Sequence, residues 1–250
     1  MKTSGNTILV TGAGTGMGLA AAKAFAARGN KVVMVARNAE RLREEAAKLE
    51  GADAFPCDIS DDHQVEALFD HAAKVHPDLN WLFLNAGVTH TYDLFGAEDM
   101  FAHAREEMTV NYLSAVRLTE RFVPQLQSAA DPAIIITTSG VIYAPDVTNP
   151  TYSATKSALH SFIQSARFVL GKRGSPIRWF ELIAPLVDSP FAAAVKSDAK
   201  VPPEDVIADL IKGLEADREE IRPGLSEEIY RAWRESPDKA FELATAAVGG

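Results

Sequence analysis

Thr7-Ile8-Leu9-Val10-Thr11-Gly12-Ala13-Gly14-Thr15-Gly16-Met17-Gly18 decides the fold. A short apolar, β-prone run passes into a glycine-rich turn, and a helical pattern opens at Gly18 and runs to Arg28. The spacing is T-G-x-x-x-G-x-G; neither Gly12 nor Gly14 starts a G-x-G-x-x-G match. The physics is common to both spacings. Glycines permit a tight turn and close backbone approach, and the helix start offers free N–H groups and a positive dipole end to a pyrophosphate. Gly12, Gly14, Thr15, Gly16, Met17 and Gly18 are therefore candidate dinucleotide-binding residues.

Beyond this turn, strand and helix patterns alternate. Residues 7–10, 31–35, 53–55, 81–84, 133–138 and 177–183 read as strands, several apolar throughout, as strands buried on both faces are. Residues 18–28, 39–49, 61–75, 99–127 and 152–170 read as helices. The alternation predicts an α/β, Rossmann-type doubly wound parallel sheet of about seven strands, with helices on both faces. Residues 1–250 read as a single domain, of a size such folds reach undivided. Residues 188–203, with Pro190, Pro202 and Pro203, read as a loop containing one short helix, placed as a lid over substrate. A further short helix is expected from Ser226.

The 250-residue chain is 47% apolar, enough for a sizeable core, and its net charge is −9 with both signs interspersed. That balance argues against a nucleic-acid or anionic-membrane partner. The single cysteine, Cys57, forbids an internal disulfide and fits a reducing compartment, so a cytoplasmic location is expected. It reads as a small buried thiol. The opening run is too short for a signal peptide or membrane span. The six histidines show no H-x-x-x-H or Cys/His grouping, so no metal is expected.

The second strand ends Val35-Ala36-Arg37-Asn38, without the acid that would hold a ribose 2′-hydroxyl. Arg37 can instead fork onto a 2′-phosphate. This favours NADP(H) over NAD(H). Arg41 either adds a second charge or pairs with Glu45 one turn on. Asp58, followed by Ile59, ends the third strand where a carboxylate can accept from an adenine amino group; Ser60 suits the cap of the next helix. Asn85-Ala86-Gly87 ends the fourth strand and should line the crevice at the strands' carboxyl ends.

The chemistry-bearing residues follow. Ser139 ends the strand from Ala133, at the same rim as the glycine turn. Tyr152 and Lys156 stand at i and i+4 on one helix face. A free phenol titrates near 10, and a nearby ammonium favours phenolate. Tyr152 is then the acid/base for a carbonyl oxygen, Ser139 orients that oxygen, and Asn111 holds a water feeding protons to Lys156. The pocket is expected from His90, Tyr92, Val141, Ile142, Tyr143, Leu186 and Phe191, a set without Lys or Arg. It suits an uncharged ketone or secondary alcohol.

Together Thr11-Gly12-x-x-x-Gly16-x-Gly18, Asn85-Ala86-Gly87, Asn111, Ser139 and Tyr152-x-x-x-Lys156 make the chain resemble the short-chain dehydrogenase/reductase family, of the single-domain type. Gly5-Asn6-Thr7-Ile8-Leu9-Val10 and Glu220-Ile221-Arg222-Pro223-Gly224-Leu225-Ser226 are similar to DltE-like members. The resemblance implies NAD(P) binding, a Ser–Tyr–Lys–Asn tetrad, and a homodimer or homotetramer. It also implies that Val187 meets the carboxamide and that Ser189 reaches the cofactor. The chain departs from the family in three places. Leu84 replaces a frequent Asn. Pro185 stands at a usual Gly, so that loop must run differently. The loop after Ser189 is short, so a small lid is expected. The competing reading is a catalytically silent nucleotide-binding sensor, although such proteins typically lose the Tyr or Lys. An epimerase or dehydratase would be expected to show different glycine spacing.

Overall fold

A computed structural model describes residues 1–96 and 99–245. Seven parallel strands form one sheet: β1 (Thr7–Thr11), β2 (Lys31–Ala36), β3 (Ala52–Pro56), β4 (Trp81–Leu84), β5 (Ala133–Ser139), β6 (Arg178–Ala184) and β7 (Glu220–Ile221). Their order is β3-β2-β1-β4-β5-β6-β7. The direction of winding reverses at β1, which pairs with β2 on one side and β4 on the other. A crevice therefore opens at the carboxyl ends of β1 and β4.

Alternation along each strand sends side chains to two separate cores. Ile8, Val10, Val32, Met34, Trp81, Phe83, Ile135 and Leu182 form one, with α1 (Gly16–Ala26), α2 (Ala39–Ala46) and α7 (Pro203–Glu215) packed over it. Leu9, Val33, Val35, Leu82, Leu84, Ile134 and Ile136 form the other, under α3 (Asp62–Val75), α5 (Ser114–Gln127) and α6 (Pro150–Lys172). Strands buried on both faces explain the unbroken apolar runs. The helices α8 (Leu225–Glu235) and α9 (Pro237–Thr245) pack on each other at the C-terminal end.

Three features depart from the linear reading. The helical pattern over 99–127 is broken into α4 (Met100–Glu107), a π-helical turn (Met108–Leu113) and α5. Asp61, not Ser60, caps α3, its carboxylate accepting from the His63 and Gln64 amides; an acidic side chain satisfies two orphan donors there. The segment 188–203, expected as a lid, holds only the 3₁₀ turn Pro190–Ala192, and α7 follows it from Pro203.

Candidate active site

The glycine turn is built by contacts that exclude side chains. Gly12 has φ +72° and Gly16 φ +52°, conformations costly for other residues. A Cβ on Gly12 would lie 3.0 Å from Ala86 Cα, so Asn85-Ala86-Gly87 presses directly on the turn. Thr11 Oγ1 accepts from the Asn85 and Ala86 amides at 3.0 and 3.1 Å. The Asn85 side chain donates to the Thr11 carbonyl and accepts from Thr137, bridging β1, β4 and β5. Thr15 stands at the N-cap of α1 without a side-chain cap bond, so the first amides of α1 are free of that partner.

A cavity of about 830 Å³ opens on this turn. Gly12, Gly14, Thr15, Gly16 and Met17 form one end, with Arg37, Asp58, Ile59, Asn85, Ala86 and Gly87. Gly18 is absent from the wall. Its missing Cβ would sit 2.2 Å from the Gly12 carbonyl oxygen, so it serves close packing of α1 on the turn. Arg37 and Arg41 are both exposed on the rim. Glu45 pairs with Lys48 and Lys23, so the Arg41–Glu45 pair does not form and Arg41 is left facing the cavity. Asp58 accepts from the Ser60 amide and hydroxyl through one oxygen, Oδ1.

Ser139, Tyr152 and Lys156 line the same cavity. Tyr152 is 8% exposed and Lys156 4% exposed. Burial pushes the Tyr152 phenol far up; a hydrogen bond with Ser139 opposes this, and the Glu107 and Asp146 charges add to the rise. In this cofactor-free chain burial thus favours the neutral phenol of Tyr152. Lys156 Nζ lies 5.6 Å from the Tyr152 ring centroid and donates to the Thr137 carbonyl at 2.9 Å. Burial lowers its pKa to about 8, against the pull of Glu181.

Asn111 sits on the π-turn and is buried. Such turns recur at functional sites because one inserted residue re-aims a side chain. Its amide donates to the Val88 carbonyl and to Thr155 Oγ1, and its Oδ1 accepts from the Val88 amide at 2.8 Å. The oxygen offered to a water is thus already engaged in fastening the segment after β4 to α6. Glu107, fully buried, accepts from the His90 amide and Thr151 hydroxyl and holds the same two segments. Sequence reasoning missed Glu107; nothing in the linear pattern separates it from the exposed Glu106.

The cavity end expected to take substrate differs most from the sequence reading. Val141, Leu186 and Phe191 line the cavity. His90, Tyr92, Ile142 and Tyr143 do not. His90 binds Glu106 and stacks on His103. Tyr92 is buried with its hydroxyl on Thr151. Tyr143 accepts from Arg222 and packs on Tyr230 and Trp233. The two turns carrying these residues rotate them away from the crevice. Their places are taken by Thr89, Thr91 and Ala144, and by Leu225, Ile229 and Leu243 from α8 and α9. The lid also contributes Lys196, an exposed cation absent from the expected set.

The loop after β6 is pinned despite Pro185. Val187 bridges Val201, with the Val201 amide on the Leu186 carbonyl and the Asp188 amide on Val201. Ser189 Cβ would lie 3.0 Å from a Cβ on Gly16, which seats the loop on the glycine turn. Phe191 packs 5.7 Å from the Tyr152 ring.

Residues 6–200 match the family model for short chain dehydrogenase. The chain is 34% identical to the uncharacterized oxidoreductase DltE of Bacillus subtilis over 250 residues, with 97% of each chain covered. A fatty acyl-CoA reductase of Acinetobacter baylyi is 32% identical over 214 residues, covering 83% of this chain and 72% of that one. A short chain dehydrogenase from Burkholderia cenocepacia, solved with NADP, superposes with TM-score 0.86 at 25% identity over all of both chains. A relative from Burkholderia phymatum, solved with NAD, gives 0.81 at 22% identity, covering 88% of this chain and 89% of that one. The chain belongs to the short chain dehydrogenase family. Within it, the chain is similar over nearly its full length to the DltE protein.

Proposed function

We propose that this protein is an NADP(H)-dependent oxidoreductase that interconverts an uncharged carbonyl and a secondary alcohol. One observation carries the reading: a single cavity joins the glycine turn and free helix start to Ser139, Tyr152 and Lys156. The residues suit a dinucleotide. Gly12 and Gly16 hold left-handed backbone that keeps the turn open, the first amides of α1 face a pyrophosphate, and Arg37 stands on the rim where an acid would repel a 2′-phosphate.

When bound, the nicotinamide supplies or accepts hydride. The chain's own residues handle the proton and the oxygen. Tyr152, kept protonated by burial, donates its phenolic proton to the carbonyl oxygen during reduction. Ser139 holds that oxygen by a second hydrogen bond. Lys156, anchored on Thr137, places a positive charge near the resulting phenolate and favours it. Asn111 and Glu107 act at one remove, by fixing the loop after β4 against α6.

The inner wall is apolar at Val141, Ala144, Leu186, Ile229 and Leu243, which offers a buried carboxylate no partner. Uncharged aliphatic or aromatic ketones and their secondary alcohols fit it best.

The test is a carbonyl panel followed at the nicotinamide absorbance with wild type, Tyr152→Phe and Arg37→Ala. Tyr152→Phe should lose at least about a hundredfold in kcat while still binding NADPH. Wild type should bind NADPH about tenfold to a hundredfold tighter than NADH, the value of one charge-assisted phosphate contact, and Arg37→Ala should shrink that ratio. Near-normal turnover in Tyr152→Phe refutes the acid/base role. Cofactor binding without turnover on any carbonyl favours a silent sensor.

A further inference from the structure

Far from the crevice, the fold gathers two histidines and an aspartate that are scattered in the chain. Asp53 Oδ2 lies 2.6 Å from His71 Nε2 and 2.8 Å from His76 Nε2. One donor atom from each residue lies within 4.8 Å of the others, the one such trio among the described residues. The helix end creates the grouping. His71 is on α3, and His76 is its C-cap, with φ −126° and ψ 59°. Leaving helical geometry there swings a residue five positions on back toward His71. Asp53 comes from β3, the edge strand of the sheet.

We propose that Asp53, His71 and His76 form a site for a divalent zinc-class cation that ties β3 to the end of α3. Two imidazoles and a carboxylate are borderline donors that suit zinc or cobalt better than magnesium or calcium. Both imidazole Nε2 atoms meet the same carboxylate oxygen, Asp53 Oδ2. In a tetrahedral site with metal–ligand bonds near 2.1 Å, neighbouring donors stand about 3.3 Å apart. The present Asp53 contacts of 2.6 and 2.8 Å need to open by about 0.7 and 0.5 Å, which small side-chain rotations provide. Access is open: the Asp53 side chain is 32% exposed and that of His71 28%. Water can complete the shell on that side. The β3 backbone runs from Asp53 to Cys57, on the cavity wall, over about 13 Å, so the cation serves structure rather than the reaction.

The experiment uses the full, untagged chain, stripped with a chelator and titrated with Zn²⁺ alone against a chromophoric competitor. One equivalent should bind, and the melting temperature should rise by a few degrees at saturating Zn²⁺. Asp53→Asn and His71→Gln should each weaken binding at least about tenfold and abolish the thermal shift. Co²⁺ bound to wild type should show the intense visible bands of four-coordinate cobalt, a readout that needs no variant. Absence of stoichiometric binding, uptake equal in wild type and both variants, or a weak six-coordinate cobalt spectrum would each overturn the proposal and leave a hydrogen-bonded latch only.

Discussion

Lys156 shows how one buried charge links stability to the proposed chemistry. Its folded pKa is about 8 against 10.5 for an unperturbed lysine. Between those values the unfolded chain carries a proton that the folded chain has released. Unfolding then takes up a proton, so stability rises with pH across this window. Below it, burying the ammonium costs about 3 kcal/mol relative to the neutral amine. Lys156 thus adds a rise in stability from pH 8 toward 10, opposed above about pH 9 by the Cys57 thiol, which burial pushes up to about 12, and Lys156→Met should lower the slope of stability against pH across this window in denaturant melts. Equal slopes in the two proteins would show that Lys156 is not held at a depressed pKa. Tyr152 acts in the opposite sense and later. Its raised pKa makes the folded state keep a proton that the unfolded chain loses, which erodes stability above about pH 10. The residue types and spacing of Ser139, Tyr152 and Lys156 were readable in the chain. Their protonation was not, because it follows from burial in the folded core and from the charge of Glu107, which a distant element brings up to Tyr152.

Among elements, the β1–α1 joint tolerates least. A methyl group on Gly18 would meet three backbone atoms of Gly12 and Ala13 within 3.0 Å, and backbone cannot step aside as a flexible side chain can. Gly18→Ala should cost at least about 3 kcal/mol and weaken NADPH binding, since α1 must lift from the turn. Gly171 near the end of α6 has open space around it, so Gly171→Ala should be neutral or stabilising by up to about 1 kcal/mol. Comparable losses in the two variants, measured by urea melts, would contradict the packing role. The π-turn at Met108–Leu113 marks the limit of helix periodicity. Residues 99–127 carry helix-compatible patterning throughout, and only the bonds from Asn111 to Val88 and Thr155 show why the ladder slips there.

Across the whole molecule, no helix among the described residues is long and apolar enough to cross a membrane. Yet Leu113, Phe168 and Val169 are 49%, 65% and 43% exposed near α5 and on α6. Apolar groups in that position favour association. Phe168→Glu should shift the protein toward monomer in sedimentation or light scattering. A wild type that is monomeric at micromolar concentration would remove the expectation.

The chain by itself determined the parallel sheet, the glycine turn and the candidate catalytic residues. These depend on local periodicity, on glycine's conformational freedom and on short spacings within one turn or helix. Tertiary structure alone decided the apolar wall of the cavity, where Leu225, Ile229 and Leu243 arrive from α8 and α9 while His90, Tyr92 and Tyr143 turn away. It also decided the meeting of Asp53, His71 and His76. Both depend on how separate elements pack against one another and on the path of a few irregular turns, and neither leaves a period in the sequence.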